Sequence, residues 1–283
     1  DVPVLQLLSS GRSKQAWEST SQGLDPIDLS LQVVLPELDG RITTRIGAFR
    51  EVLDAQSSLS TAVKGFVPDP SGLNWLADHA RCWVDLRQTD PADKRVALVL
   101  ANYPVRNGRL ANGVGLDTPA STMNLLNWLA EAGVALGRES RPDDSQVLMA
   151  QLLSGRSNDP ESFHLQPLAY LPLSTYLQWW RQLTPEARSL IERRWGSPEQ
   201  AVDLEEKGFA VHGLLFGHVA VLIQPSRGYD PDQISDLHSP DLPPPHRYLA
   251  QYLWLQEVHG TQLMVHVGKH GSAEWLPGKS VGL

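Results

Sequence analysis

The stretch TDPADKRVALVLANYP, residues 89–104, fixes the centre of the predicted fold. Its first half is polar and contains a proline, a composition typical of a segment between domains. Residues 96–101 then form an uninterrupted apolar run. A short apolar run bounded by turn residues predicts a buried β-strand. We therefore place a domain boundary near residue 90 and a central strand directly after it.

A glycine-rich loop follows this strand, and a helix follows the loop. Asp117 or Thr118 is the predicted N-cap, Pro119 lies in the first turn, and Gly133 ends the helix. The loop, residues 102–118, has neither the Lys-Ser/Thr ending of a P-loop nor a G-x-G-x-x-G pattern. It therefore predicts no nucleotide site. We interpret it as a long loop that lines a cleft for a large ligand.

The chain as a whole predicts an α/β fold with two lobes, in which mostly parallel sheets are flanked by helices. Residues 1–90 are predicted to form the C-terminal part of the first lobe. Within it, SLQVVLPELDGRITT (30–44) is interpreted as a buried strand that leads into a turn. The second lobe comprises residues 91–283. The helical periodicity of RPDDSQVLMAQLLSG and LSTYLQWWRQL predicts a helical layer inserted in this lobe.

The second half of this lobe predicts a hairpin, a helix and a final strand. GFAVHGLLFGHVAVLIQP favours two strands around a turn at Gly217 and His218, because a two-residue turn with positive φ prefers glycine. A helix is predicted over 246–259, behind three consecutive prolines. QLMVHVG (262–268) is the next predicted strand. Ligands of open α/β sheets bind beyond the carboxyl ends of strands, which makes the segment after this strand a candidate site.

Composition and charge exclude several classes of protein. The net charge is −8, so the basic surface of a nucleic-acid binder is missing. The single cysteine, Cys82, excludes an internal disulfide and a zinc site rich in thiolates, and it suits a reducing cytoplasm. The most apolar stretch, residues 209–223, is interrupted by glycine and histidine and is too short to cross a bilayer as a helix. We therefore predict neither nucleic-acid nor membrane binding.

The chemistry concentrates in HVGKHGSAEW, where His266, His270 and Glu274 recur at intervals of four. Gly268 and Gly271 disfavour a continuous helix, so we predict a turn that brings the three side chains together. Two imidazoles and a carboxylate suit a divalent transition metal, and the carboxylate can instead act as a base. The alternative is a histidine at a strand end, a solvated acid and a core tryptophan. The spacing alone leaves both interpretations open.

Five motifs in order identify the chain as similar to one known family. They are LPELDGR, GRLANGVGLDTPAS, IQPSRGYD, HSPDLPPPHRYLAQY and HVGKHGSAEWLPGKSVGL. Together they resemble the large-subunit family of cobaltochelatase and magnesium chelatase, and most closely the large subunit of aerobic cobaltochelatase. In the magnesium branch Thr stands in place of Lys269 and Phe-Met in place of Trp275 and Leu276. From the resemblance we expect an internal fragment of a longer subunit, ending inside the HGSAEWLPGK motif.

The resemblance implies insertion of Co²⁺ into the corrin hydrogenobyrinic acid a,c-diamide during cobalamin biosynthesis. ATP, with Mg²⁺, would be hydrolysed by two partner subunits of the AAA+ type in a cytoplasmic complex. The chain on its own is expected to be inactive. One alternative is a magnesium chelatase subunit that inserts Mg²⁺ into protoporphyrin IX. Another is a non-catalytic module that binds a tetrapyrrole or a metal.

The resemblance also implies roles for individual residues. His266 and His270 are expected to be transient metal ligands or proton acceptors. Glu274 is expected to be the catalytic base or a third ligand, and His246 is a fourth candidate ligand. The side chains expected to contact the corrin or its acidic substituents are Trp275, Lys269, Lys279, Arg106 and Arg109.

Overall fold

A computed structural model of the chain describes residues 2–54, 61–102, 107, 110–113, 115–137, 141–228, 239, 241–269 and 271–279. The chain divides into two compact units. The first comprises Asp1–Gln88 and Gly278–Leu283, and the second comprises Thr89–Pro277. Helices and sheets occur in both, which is the mixed α/β class predicted from the sequence. Gly278 and Lys279, which the prediction assigned to the second lobe, group with the first unit.

The first unit contains a three-stranded sheet and short helices. Strand β1 (Leu5–Ser10) pairs in parallel with β2 (Ile42–Asp54), which pairs antiparallel with β3 (Val63–Pro68). The helices are α1 (Lys14–Glu18), α2 (Pro26–Leu29), α3 (Leu35–Leu38) and α4 (Pro70–Gln88), with a π-helical turn at Ser30–Val34. The core contains Leu8, Trp17, Leu24, Ile46 and Phe49. Helix α4 packs closely on β2, because a Cβ at Gly72 would lie 1.9 Å from the Ile46 carbonyl oxygen.

The prediction of a buried strand within residues 30–44 is wrong, because this stretch is helical up to Leu38. Asp25 starts the helical run by accepting hydrogen bonds from the N–H groups of Ile27 (3.0 Å) and Asp28 (2.9 Å). The apolar residues that suggested a strand recur at helical spacing and are exposed. They are Leu31, Val34, Leu35 and Leu38.

The second unit is built around a four-stranded sheet in the order β10-β11-β4-β12. Its strands are β4 (Val96–Leu100), β10 (Gly213–Phe216), β11 (Val219–Ile223) and β12 (Leu263–Val267). Strands β11 and β12 both run parallel to β4, and β10 runs antiparallel to β11. The remaining strands are β5 (Asn112–Gly113), β6 (Leu116–Asp117), β7 (Ala169–Leu171), β8 (Leu204–Glu205) and β9 (Gly208–Val211). They form a β5-β6 hairpin and an antiparallel β7-β9-β8 sheet, so in the described part of this unit only the four-stranded sheet is mostly parallel.

The second unit contains five α-helices in its described part, and the first of them begins at the predicted N-cap. They are α5 (Thr118–Glu131), α6 (Ser145–Ser154), α7 (Leu173–Trp180), α8 (Pro185–Trp195) and α9 (His246–Trp254), which continues as a π-helical turn at Leu255–His259. Single turns of 3₁₀ helix occur at Pro91–Asp93, Pro160–Ser162, Pro198–Gln200 and Ser272–Trp275. Asp117 accepts the Ala120 N–H at 2.9 Å, as an N-cap does. Across the described ranges, no helix has the length and apolar character needed to cross a membrane.

Strand β4 lies at the centre of the second unit, with helices on both faces of its sheet. All five of its residues are at most 1% exposed. Val96, Leu98 and Leu100 share a core cluster with residues of α5 and α6. Ala97 and Val99 share a second cluster with residues of α7, α8 and α9. This double burial explains the uninterrupted apolar run in the sequence.

The predicted pair of strands within 208–223 is in fact three strands. The turn at Gly217 and His218 joins β10 to β11 as predicted, and Gly217 has a φ of 56°. Strand β9, however, ends before Gly213 and belongs to the antiparallel sheet. Gly213 has a φ of 148°, and a Cβ there would lie 2.3 Å from the Val221 carbonyl oxygen. The chain therefore changes sheets at a residue that glycine alone fits well.

Candidate functional site

The carboxyl ends of three parallel strands meet at one edge of the four-stranded sheet. Ile223 at the end of β11 and Val267 at the end of β12 both pair with Leu100 at the end of β4. Backbone bonds continue one residue further, because Gln224 donates its N–H to Leu100 (2.9 Å) and Ala101 donates to Val267 (3.1 Å). The segments that follow these strands therefore start side by side, where open α/β sheets bind ligands.

A cavity of about 180 Å³ lies at this edge. Three of its lining residues, His266, Lys269 and Glu274, are site residues predicted from the sequence. The other lining residues are Val99, Ala101, Gln224, Val267, Gly268, Gly271 and Ala273. A water molecule takes ~30 Å³ in the liquid, so this volume suits a metal ion with a few waters. The structure thus brings together three of the predicted residues.

His266 is the penultimate residue of β12, and it lines this cavity. The residue is exposed, but its ring also stacks on Tyr252 of α9, with ring centroids 5.8 Å apart and planes inclined by 10°. Partial burial lowers the pKa of His266, because removing water disfavours the charged imidazolium. The neutral ring, which keeps a lone pair for a metal, is therefore favoured at neutral pH.

Glu274 lies on the single 3₁₀ turn Ser272–Trp275. This turn is separated from β12, so the described residues contain no continuous helix from His266 to Glu274, as predicted. The Glu274 side chain is exposed and accepts the Gly271 N–H at 3.3 Å, while its own N–H donates to the Gly271 carbonyl at 3.3 Å. This reciprocal pairing orients the carboxylate at the start of the turn.

The complete ligand set predicted from the sequence includes His270, which lies outside the described residues. Among the residues that the structure describes, no three histidine, cysteine, aspartate or glutamate side chains are grouped as a metal site. The described part of the cavity thus contributes one imidazole and one carboxylate. A transition metal requires further donors, which water or a substrate can supply.

Gln224 and Tyr252 belong to this region, although the sequence reasoning missed both. Gln224 is 2% exposed and accepts the Ser272 N–H through Oε1 at 3.0 Å. Its Nε2 lies 3.5 Å from the Tyr252 hydroxyl. Burial is the main cause that raises the pKa of Tyr252, so the hydroxyl stays protonated. The available sequence signal was the position of Gln224 directly after a wholly apolar strand.

The prediction of His246 as a metal ligand is corrected by its surroundings. The side chain is 1% exposed in the core between α7 and α9. Its Nε2 lies 2.9 Å from the Gly196 carbonyl, and its Nδ1 lies 2.9 Å from the Tyr176 hydroxyl. A carbonyl only accepts, so Nε2 donates its proton and the neutral ring uses Nδ1 to accept from Tyr176. Neither nitrogen has a lone pair left for a metal.

The residues predicted to contact the corrin have different outcomes. Lys269 lines the cavity, and Trp275 is half-buried on the same 3₁₀ turn as Glu274. Lys279 instead donates to the backbone carbonyls of Trp17 (2.5 Å) and Thr20 within the first unit. Its ammonium also lies 5.1 Å from the Trp17 ring centroid, so these contacts correct the assignment of Lys279 to a corrin. The two predicted arginines, Arg106 and Arg109, lie outside the described residues.

A larger cavity, of about 550 Å³, lies beside the start of α9. Its charged lining residues are paired within the protein. Arg156 bonds to Glu205, and the Nε atom of Arg247 lies 4.0 Å from an Asp203 carboxylate oxygen. The histidine at its wall is His246, whose nitrogens are both occupied. This cavity therefore lacks the donor set of a transition-metal site, despite its size.

Comparison with known proteins places the whole chain in one family. The family model described as CobN/Magnesium Chelatase matches residues 1–283. The aerobic cobaltochelatase subunit CobN of Pseudomonas aeruginosa is 44% identical over 284 residues, which cover 100% of this chain and 23% of that protein. The subunit of the same name from Sinorhizobium is 41% identical over 282 residues, covering 100% of this chain and 22% of that protein. The chain therefore spans less than a quarter of the length of these relatives.

A solved structure shows the same fold. The catalytic subunit of cobaltochelatase from Mycobacterium tuberculosis matches this chain with a TM-score of 0.85 and 35% sequence identity, covering 100% of this chain and 23% of that one. Sequence and structure agree that the chain belongs to the CobN/magnesium chelatase family.

Proposed function

We propose that this chain carries the metal-handling region of a cobaltochelatase, a ligase that forms nitrogen–metal bonds during cobalamin biosynthesis. The relatives named as aerobic cobaltochelatase subunits support this assignment. The proposed reaction is insertion of Co²⁺ into hydrogenobyrinic acid a,c-diamide by the whole protein, of which this chain spans one region. The observation that carries the proposal is the shared cavity of His266 and Glu274 at the ends of three parallel strands.

In this proposal His266 holds the incoming Co²⁺ for a short time. Its lowered pKa favours the neutral imidazole, so the ring competes poorly for protons and well for a metal. Water ligands exchange readily, so a site whose coordination is completed by water can release the ion. His270 is the proposed second imidazole, and water completes the coordination.

A corrin has a single inner N–H, so insertion of Co²⁺ into the ring displaces one proton. We assign this proton to Glu274, whose carboxylate lies in the same cavity as His266. His266 releases the metal to the ring nitrogens, and Glu274 then returns its proton to water. The metal thus exchanges protein ligands for ring nitrogens, while one carboxylate takes the proton.

The ring itself is proposed to lie over the open side of this cavity. Trp275 stacks on the flat macrocycle, and Lys269 pairs with one of its acidic substituents. The position of both residues beside Glu274 supports this arrangement. Arg106 and Arg109 stay proposals for further acidic substituents. His246 and Lys279 are left out of the site because their polar atoms already bind the protein.

The remaining parts of the proposal concern the assembly. Two AAA+ subunits are proposed to hydrolyse ATP with Mg²⁺ and to drive metal insertion, in the cytoplasm, where a single unpaired cysteine stays reduced. The two compact units are proposed to act as two lobes, and α6, α7 and α8 as a helical layer inserted in the second. These proposals follow from the family resemblance.

A magnesium chelatase that inserts Mg²⁺ into protoporphyrin IX is the second candidate, because the matching family includes that enzyme. Mg²⁺ prefers oxygen ligands and seldom uses imidazole, whereas Co²⁺ binds imidazole well. The imidazole in the cavity therefore favours the cobalt reaction. A non-catalytic metal- or tetrapyrrole-binding module would bind the same ligands without turnover.

The test uses the whole protein with its ATPase partners, ATP and hydrogenobyrinic acid a,c-diamide, and follows the absorbance of the corrin. We expect Co²⁺ insertion, and no insertion of Mg²⁺ into protoporphyrin IX under the same conditions. Glu274→Gln should abolish turnover while the corrin still binds, because the neutral amide keeps the shape and removes the base. The matched control is Glu257→Gln, which alters an exposed glutamate on the π-helical turn after α9. Normal turnover in Glu274→Gln removes this residue from the mechanism.

A further inference from the structure

Gln224 occupies the point where the central sheet meets the segment that carries Glu274. It is the first residue after β11 and is only 2% exposed. Its side chain nevertheless lines the cavity that contains His266 and Glu274. A buried amide is costly unless its polar atoms are bonded, so its bonds indicate what it does.

The main chain of Gln224 is fixed from two sides. Its N–H donates to the Leu100 carbonyl at 2.9 Å. Its carbonyl accepts the Asn158 Nδ2 at 2.7 Å, and Asn158 is itself 5% exposed. The backbone at this position is therefore tied to β4 and to a second buried amide. The main-chain atoms from which the Gln224 side chain extends are therefore held in place.

The side-chain amide contacts both halves of the candidate site. Oε1 accepts the Ser272 N–H at 3.0 Å, at the first residue of the turn that carries Glu274. Nε2 lies 3.5 Å from the Tyr252 hydroxyl, and the Tyr252 ring stacks on His266. The Gln224 side chain thus contacts both the turn that carries Glu274 and the tyrosine that stacks on His266.

Gly271, which directly precedes the turn that carries Glu274, packs against the side-chain amide of Gln224. A Cβ at Gly271 would lie 3.2 Å from both Nε2 and Oε1 of Gln224, which is tighter than an ordinary contact. The absence of a side chain at Gly271 lets the main chain approach closely enough for the bond from Ser272. The glycine at position 271 is therefore consistent with the hydrogen bond from the Ser272 N–H to Gln224.

We infer that Gln224 is a positioning residue that sets the placement of Glu274 relative to His266. This inference rests on the proposed function, in which these two side chains share the metal and Glu274 takes the proton of the ring. Gln224 acts through Ser272 and Tyr252. Its role is to hold the turn Ser272–Trp275 at the carboxyl edge of the sheet.

The chain offers a matched control in Gln251. This glutamine is also 2% exposed, and its Nε2 donates to the Ile223 carbonyl at 2.7 Å, one residue before Gln224. Gln251→Leu removes a buried amide from the same neighbourhood. The Gln251 side chain bonds to strand β11, whereas the Gln224 side chain bonds to the turn that carries Glu274. Gln251→Leu therefore distinguishes a general loss of packing from a loss of the contact that positions Glu274.

The first experiment measures amide hydrogen exchange in the 283-residue chain. In Gln224→Leu we expect the amides of residues 272–275 to exchange at least tenfold faster, with strand β12 unchanged. Gln224→Glu should restore slow exchange, because its carboxyl oxygen still accepts from Ser272. Gln251→Leu should leave residues 272–275 at the wild-type rate. Unchanged exchange of these residues in Gln224→Leu, or equal acceleration in Gln251→Leu, overturns the inference.

Ser272→Pro tests the same bond from the other side and serves if Gln224→Leu does not fold. It removes the N–H that Gln224 accepts, at a first helical position that tolerates proline. Faster exchange of residues 273–275 is expected here too, whereas Ser272→Ala, which keeps the N–H, should be close to wild type. Slow exchange in the proline variant contradicts the role of this bond.

The second experiment records the visible absorption of Co²⁺ bound to the same chain. If Gln224 places Glu274, then Gln224→Leu should reproduce the spectrum of Glu274→Gln, although Glu274 itself is intact. A wild-type spectrum in folded Gln224→Leu contradicts positioning. Absence of a Co²⁺ spectrum from the wild type contradicts the proposed metal site, and the exchange experiment still tests the placement of the turn by Gln224. The two failures are therefore distinguishable.

Discussion

The carboxyl edge of the central sheet and the start of α9 both present a histidine, yet the two regions differ in what the histidine can do. At the sheet edge His266 is exposed, lines a cavity and stacks on Tyr252. At the start of α9 His246 is 1% exposed, and both of its nitrogens are hydrogen-bonded. Residue type is therefore a weak guide to metal binding, and the remaining bonding capacity of the ring is a strong one.

His212 extends the comparison to a second buried histidine. It is 1% exposed between β9 and β10, and its Nε2 has no hydrogen-bond partner among the described residues. Burial, together with the positive charges of Arg247 and Arg156, lowers the pKa of His212 to about 2. This ring stays neutral because charging it in the core is unfavourable. The core histidines thus govern stability, whereas the edge histidine is available for ligands.

The largest expected effect is on stability, through His246→Ala. The substitution leaves a cavity and orphans the buried Tyr176 hydroxyl and Gly196 carbonyl. We expect the free energy of unfolding to fall by about 3–4 kcal/mol, measured by urea denaturation. The Co²⁺ affinity of the folded variant should stay within about twofold of wild type. A large loss of Co²⁺ affinity without loss of stability returns His246 to the set of metal ligands.

The next effect is a pH dependence of stability caused by His212. An unfolded histidine has a pKa of about 6.5, whereas folded His212 has a pKa of about 2. Between these values the unfolded state binds the proton and the folded state does not. The free energy of unfolding therefore falls as the pH drops below about 6.5, by about 1.4 kcal/mol per pH unit from this residue.

His212→Leu removes this proton uptake. We expect its urea midpoint to depend less on pH between 6.5 and 5 than that of the wild type, for which His212 accounts for about 2 kcal/mol over this range. The comparison of the two slopes cancels the contributions of other titrating groups. Identical slopes in the two proteins show that folding does not lower the pKa of His212.

The smallest expected effect on stability, with a clear effect on binding, comes from His266→Ala. This exposed ring contributes little packing, so the urea midpoint should stay near that of the wild type. Co²⁺ affinity, measured by calorimetry, should fall at least about tenfold, because a donor is lost. The reverse result, a destabilised protein that binds Co²⁺ normally, would mean that His266 is a structural histidine like His246.

Much of the second unit was predictable because its local signals agree with its tertiary structure. The apolar run of β4, the N-cap at Asp117 and the turn at Gly217 each specify one local structure, and each is present. Residues 30–38 were not predictable in the same way. Leu31, Val34, Leu35 and Leu38 are exposed, so the assumption that an apolar run is buried selected the wrong element.

The candidate site was predictable in part for a similar reason. His266, Lys269 and Glu274 are close in sequence, and the end of one strand brings them to one cavity. Gln224 and Tyr252 are distant from these residues in sequence. Gln224 lines the cavity because β11 pairs with β4, and Tyr252 stacks on His266 because α9 packs beside β12. His246 was misjudged because its partners, Tyr176 and Gly196, are contributed by distant helices.

The central claim is that the carboxyl edge of the sheet receives the metal, and the position of bound Co²⁺ tests it most directly. Crystals of the 283-residue chain soaked in Co²⁺ give an anomalous map that locates the ion. The account predicts a cobalt peak within coordination distance of His266, with the Glu274 carboxylate beside it. A cobalt peak at another place, with none in this cavity, contradicts the account.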